Sequence, residues 1–433
     1  MSSFRRISAG AGANVLNLVY VTVITALTVP VLIHAWGVGQ YGTWVMVTAI
    51  PTYLSLSDFG FATAATNEIA MSVARRDYDQ AVKTLHSVWA MNLIVSAIIV
   101  GLAVTAGVVM SVFKLQPELA LVVPVLAAYA ASCLLSRVTL GAFRGGGRYA
   151  TGTLLYDGLQ FIEGALCLLA AWLGGGFLAA ASVLLVVRSI SILISYITLR
   201  NIAPGLPLGL RHASLARLKQ LLAPAFASMA VPVALALNMQ GVALILGGIV
   251  SPTATATLSA TRTVSRIAVQ VISAVNRALV PELSAASAKG DLAARERILR
   301  FNRLLLLGLA VPAAMGFIAF GGKAISIWTS GRIHPPLGVM FSLGAAMAIH
   351  CVWFFGTNML SATNAHSRMA VGLFICSIAT VLLAIPLTSI WGIHGAAASV
   401  LVGETLCASW YFISSGRSKK DSPSDSLVAR ATQ

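Results

Sequence analysis

Apolar residues in this chain come in long blocks, not in the short alternations or narrow stripes of a protein that folds in water. Residues 7–57, 84–113, 220–261 and 369–403 contain no Asp, Glu, Lys or Arg. Each block exceeds the roughly 20 residues a helix needs to cross a bilayer, and the longest has room for two crossings. Glycine, proline and charged residues punctuate the blocks, and the pattern predicts twelve membrane helices. The first six span about 14–34, 43–66, 87–112, 119–140, 151–173 and 177–199. The second six span about 221–249, 252–280, 304–329, 337–363, 369–389 and 393–413, with a basic inner loop at 281–303.

Between the two groups lies 200–219, which holds Pro204, Pro207, Arg211, Arg217 and Lys219; its second half has the character of an interfacial helix. The expected organisation is an N-terminal six-helix lobe (1–205), a cytoplasmic linker (206–220), a C-terminal six-helix lobe (221–413) and a disordered cytoplasmic tail (414–433). The fold class is an all-α integral membrane protein, with two six-helix bundles facing a central cavity near the bilayer midplane.

One helix breaks the apolar rule. Along 252–280, Thr255, Ser259, Arg262, Arg266, Gln270, Ser273 and Arg277 share a face about 80° wide. The rest of the circumference is mostly Ala, Val, Ile and Leu, with Thr261 and Ser265 the main polar interruptions. The three arginines span about 22 Å of depth. An arginine facing lipid near the midplane costs on the order of 3 kcal/mol on insertion scales. The stripe is therefore expected to face protein or a water-filled cavity, and its charge suits an anionic substrate.

Composition sharpens the class. Only 10% of residues are charged, against about 25% in soluble domains. The net charge of +16 does not indicate nucleic acid, because the basic residues fall in alternate loops. Of the 29 Lys and Arg, only Lys114, Lys323 and Arg332 fall on the outer side, with Arg188, Arg262 and Arg266 deep in helices. The positive-inside rule then places both termini in the cytoplasm. Arg5 and Arg6 precede a long apolar run without a small-residue cleavage site, as in a retained anchor. The five cysteines are scattered without metal-ligand spacing, so no metal or cofactor is expected. The glycine run at Gly145 lacks the Lys-Ser/Thr ending of a phosphate loop.

Further candidates lie inside the predicted helices. Arg188 in the first lobe is a possible fourth cavity cation beside Arg262, Arg266 and Arg277. Asp58, Glu163 and Glu404, with Asp157, are intramembrane carboxylates suited to carry a coupling proton or act as counter-ions. Asp58, beside Gly60, also suits a capping role. Asn238, Gln240 and Gln270, with Gln160, suit hydrogen bonds to sugar hydroxyls or between helices. Two uses of Arg262 and Arg266 stand open: contact with a phosphate or acidic sugar, or pairing with a carboxylate on a neighbouring helix. Trp36, Trp44, Trp328, Trp391 and Trp410 sit near helix ends, where an interfacial belt is expected.

The segments GVGQYGTW (37–44), YLSLSDFG (53–60) and AATNEIA (64–70) resemble the second helix of bacterial polysaccharide flippases. These are the O-antigen and exopolysaccharide exporters of the multidrug/oligosaccharidyl-lipid/polysaccharide superfamily. SATRTVSR (259–266), NRALVPELS (276–284), NMLSATN (358–364) and WGIHGAA (391–397) continue the resemblance over most of the chain. It implies no catalytic chemistry. It implies translocation of undecaprenyl-pyrophosphate-linked oligosaccharide across the bacterial cytoplasmic membrane, by alternating access of two lobes. The implied partners are that substrate, membrane lipids and polysaccharide polymerase or assembly proteins. Two alternatives remain: an ion-coupled drug or metabolite antiporter of the same superfamily, and a membrane-bound polysaccharide-assembly enzyme. A cavity for organic cations should be acidic and aromatic, whereas this one holds at least as many arginines as carboxylates; the enzyme calls for a catalytic cluster in a sizeable loop, and the outer loops are only a few residues long. The loop at 73–80 also lacks the Gly-x-x-x-Asp-Arg pattern of major facilitator symporters.

Overall fold

A computed structural model describes residues 3–114, 117–288, 291–361 and 367–420. The chain opens with α1 (Ser3–Trp36), α2 (Val38–Val47), α3 (Ala49–Leu54), α4 (Phe61–Ala74) and α5 (Tyr78–Val112). It continues through α6 (Pro117–Gly145), α7 (Tyr149–Trp172), α8 (Phe177–Ile202) and α9 (Leu215–Ala236). A π turn, Leu237–Gly241, joins α9 to α10 (Val242–Ile249). Then come α11 (Pro252–Ala288), α12 (Leu292–Leu305), a second π turn at Leu306–Ala310, α13 (Val311–Trp328), α14 (Leu337–Ser361), α15 (Ser367–Trp391) and α16 (Ile393–Lys420). The described residues contain no strand.

Ten of these helices are long and apolar enough to cross a membrane. The two expected crossings outside that set are 43–66, which is broken, and α11, whose arginines and hydroxyls lower its hydropathy. Leu102, Val112, Phe320, Ile327 and Leu382 are exposed, as lipid-facing side chains are. Hydroxyls inside the apolar helices bond back to their own backbone. Thr261 donates to the Thr257 carbonyl and Ser265 to that of Arg262, which explains how α11 tolerates polar residues off its arginine face.

The chain divides into two units, residues 1–232 and 233–433. The division falls inside α9, whereas the sequence reading started the second lobe at 221. In the first unit, Phe61, Ile69, Leu85, Val138, Phe143, Leu199, Leu206 and Leu221 form one buried cluster. Leu206 belongs to the expected linker, so that segment packs against α4 and α5. His86 fastens it further. Its Nδ1 accepts from the His212 backbone N–H at 3.2 Å, so Nε2 carries the proton and donates to the Pro207 carbonyl at 3.0 Å. Arg217 reaches Glu68 at 2.6 Å and Thr84 at 2.8 Å.

The expected helix 43–66 is instead three pieces. Residues 55–60 turn the chain, Gly60 adopts a left-handed φ of 79°, and Asp58 accepts from the Gly60 and Ala62 amides at 3.2 and 3.3 Å. Asp58 thus caps α4. A Cβ on Gly60 would collide with the carbonyl oxygen of Ala225 on α9, so the corner has two reasons for glycine.

In the second unit, Ala234, Trp353, Leu373, Cys376 and Cys407 cluster between α9, α14, α15 and α16. The expected inner loop 281–303 is largely helical, in the end of α11 and in α12. The expected tail from 414 begins as a continuation of α16 to Lys420; residues 421–433 lie outside the described residues.

Candidate functional site

The arginine face of α11 is held from the π turn that precedes α10. A π turn disturbs the regular helical ladder and leaves carbonyl oxygens open to an outside donor. Arg262 fills that role: its Nη2 donates to Asn238 Oδ1 at 3.0 Å. Its terminal nitrogens also reach the Asn238 carbonyl at 3.4 Å and the Met239 carbonyl at 3.3 Å. All these acceptors are neutral, so they fix the guanidinium without cancelling its charge.

Arg266, one turn along α11, is exposed and has no hydrogen-bond or ion-pair partner among the described residues. The two arginines are close enough to repel. Among the described residues, the pairing with a neighbouring carboxylate that the sequence left open does not occur in direct contact for either. Glu404, on α16, is near enough to attract Arg262 but has its own partners. Its Oε2 accepts from Trp353 Nε1 at 2.7 Å and lies 3.1 Å from His350 Nδ1, both on α14. His350 in turn stacks on Phe354 and meets Trp353 edge to face.

Gln240 lies in the same π turn as Asn238, and Gln270 lies a turn beyond Arg266; both are partly buried and already engaged within the protein. The side chain of Arg277 lies outside the described residues. The second unit therefore brings Arg262, Arg266, Asn238 and Glu404 together, in the order α11, π turn, α16.

The first unit contains a different constellation. Arg188, grouped with the cavity cations by the sequence, is 2% exposed and sealed against Glu163, itself 3% exposed. Its Nε lies 2.8 Å from Glu163 Oε2 and its Nη2 donates to Oε1 at 2.9 Å. The Tyr129 hydroxyl donates to the same Oε1 at 2.7 Å, and the guanidinium lies over the rings of Tyr129 and Tyr156. Arg188 is thus not presented to a ligand, which corrects its grouping with the cavity cations, and Glu163 takes the counter-ion role, one of the two the sequence left open for it. Asp58, as described, caps α4, with Arg137 nearby holding the Ser55 carbonyl at 2.9 Å. Gln160 is exposed.

The tryptophans divide as well. Trp391 is exposed, as an interfacial residue is, but Trp44 is buried. Trp36 donates to the Gly175 carbonyl at 2.8 Å and packs against Trp44 and Phe177, so this pair ties α1, α2 and α8 together. His350, Trp353, Tyr129 and Tyr156 were missed by sequence reasoning. The one available signal was His350 itself, a titratable residue in the middle of an apolar helix, three positions from a tryptophan.

Residues 9–287 match the family described as "Polysaccharide biosynthesis protein". No curated protein sequence matches the chain. Among solved structures, the fold is shared with an inward-facing multidrug resistance MATE family transporter of the MOP superfamily, at TM-score 0.75 and 14% identity, covering 92% of this chain and 94% of that one. An outward-facing transporter of the same description matches at TM-score 0.55 and 16% identity, covering 94% and 97%. A MOP superfamily transporter from Pyrococcus furiosus, described as having a binding pocket of reverse polarity, matches at TM-score 0.55 and 13% identity, covering 95% and 92%.

Proposed function

Because the chain belongs to the polysaccharide biosynthesis protein family, a family of multi-pass membrane proteins, we propose that it flips lipid-linked oligosaccharide. The substrate is an undecaprenyl-pyrophosphate-linked glycan, carried from the inner to the outer leaflet of the bacterial cytoplasmic membrane for lipopolysaccharide or exopolysaccharide synthesis. Both termini lie in the cytoplasm. The observation that carries this reading is Arg262, positioned by neutral oxygens with its charge intact, beside an exposed Arg266 that has no hydrogen-bond or ion-pair partner among the described residues.

A pyrophosphate diester matches such a pair. Its oxygens accept from guanidinium forks, and its two negative charges meet two positive ones. Transport in this direction also needs little else. An inside-negative potential assists each outward-moving negative charge by about 2.3 kcal/mol per 100 mV. The chemistry asked of the protein is passage, not bond making, which fits a transporter rather than an enzyme.

The multidrug transporters that share the fold supply the second reading, exchange of organic cations. A cation site needs exposed carboxylates, and here Glu163 is buried against Arg188 and Tyr129 while Glu404 is held by Trp353 and His350. Charge selects between the readings, and it favours the anion.

The test is the double variant Arg262→Ala with Arg266→Ala in cells that depend on this protein for surface glycan. The expected result is loss of surface glycan with membrane insertion intact. Normal glycan from a well-expressed double variant would overturn the assignment.

A further inference from the structure

Glu404 and His350 form a titratable pair near Arg262, and the transport reading above leaves it without a task. We propose that this pair binds one proton, and that the proton sets the affinity of Arg262 and Arg266 for the anion. The inference rests on the reading of those arginines as the anion contact.

The argument needs only the charges. Without the proton, the pair is a carboxylate and a neutral imidazole, with net charge −1. With it, the net charge is zero, whether the proton sits on Glu404 or on His350. The carboxylate attracts Arg262 and so lowers the positive potential an incoming pyrophosphate meets. Taking up a proton removes that competition and tightens anion binding. By reciprocity, a bound anion tightens proton binding.

Among the described residues, the surroundings offer no rival titratable group of comparable effect. On α14, the described neighbours are Cys351 and the indole of Trp353, which donates to Glu404. On α11 they are Arg262 and Arg266. On α15 there is Cys376, and α16 itself adds Cys407 and Tyr411. The α10 sequence contains no ionisable side chain. His350 is thus the one imidazole within hydrogen-bond distance of the carboxylate among the described residues. Trp353 can hold Glu404 in both protonation states, because an indole N–H donates to a carboxylate and, less strongly, to a neutral carbonyl oxygen.

The experiment measures binding of a short-chain polyprenyl-diphospho-N-acetylglucosamine to the purified full-length protein in nanodiscs. That probe is a pyrophosphate diester, so its charge does not titrate between about pH 5.5 and pH 8, and any pH dependence belongs to the protein. Wild type should bind about tenfold tighter at the lower pH, within the usual range of site-to-site coupling. Glu404→Gln, which keeps an acceptor for Trp353, should bind at the higher pH as tightly as wild type does at the lower. Adding His350→Gln should make binding independent of pH.

Binding that is lost in the Arg262→Ala, Arg266→Ala variant but is flat with pH in wild type would overturn this proposal alone. Unchanged or weaker binding by Glu404→Gln at the higher pH would do the same. Absence of wild-type binding at both pH values would overturn the anion reading of the arginines, and this inference with it.

Discussion

A guanidinium that leaves water must recover its hydrogen bonds from protein oxygens, and the kind of oxygen decides what becomes of its charge. Arg188 recovers them from Glu163, so the pair is neutral and closed. Removing one partner leaves a buried charge, and Glu163→Gln should destabilise the protein by on the order of 3–5 kcal/mol. Thermal unfolding in detergent would show this, and Arg188→Met combined with Glu163→Gln should recover part of the loss. Arg262 recovers its bonds from Asn238 and the Met239 carbonyl, so its charge remains for a ligand. Asn238→Asp converts that neutral clamp into an ion pair. It should leave thermal stability unchanged or raised, yet cut transport by about tenfold or more, because the anion then competes with a carboxylate worth one or two kcal/mol. Full transport by Asn238→Asp would show that the charge of Arg262 is not what the substrate meets.

The elements show where sequence reasoning succeeds and where it fails. The long helices were legible because a bilayer punishes every unpaired backbone group and admits few charges, which leaves a coarse pattern. The spacing of Arg262 and Arg266 on one face of α11 was legible for the same reason, since an arginine at membrane depth is costly unless protein oxygens or water receive it. The corner at 55–60 carried its signal in Asp58 and Gly60, but that signal was outweighed by the apolar residues on either side. The π turn carried none: LNMQG has no residue type that demands it, and it becomes visible only with Arg262 against it. The pairing of Arg188 with Glu163 was equally hidden, because α7 and α8 meet through tertiary packing that no local pattern encodes. The corner yields its own prediction. Gly60→Val meets both a left-handed φ and the Ala225 carbonyl, so it should cost about 1–3 kcal/mol or more in thermal stability. Gly12→Val, on open surface of α1, should cost under about 1 kcal/mol. Equal losses from the two would contradict the close approach of α4 to α9.

At the scale of the whole molecule, the distribution of Lys and Arg makes a claim about direction. The orientation proposed from it puts both termini in the cytoplasm, so a fluorescent protein fused after Lys420 should fluoresce, and a periplasm-dependent phosphatase fused there should be inactive. The opposite pattern would invert the topology and with it the sense of transport. The central claim is translocation itself, and spheroplasts from cells with and without the protein test it most directly. The quantity to measure is the fraction of lipid-linked oligosaccharide open to a membrane-impermeant glycan-cleaving enzyme. The account predicts that without the protein this fraction collapses while total lipid-linked sugar accumulates, and that the Arg262→Ala, Arg266→Ala variant does not restore it. An unchanged fraction in cells that lack the protein would contradict the account.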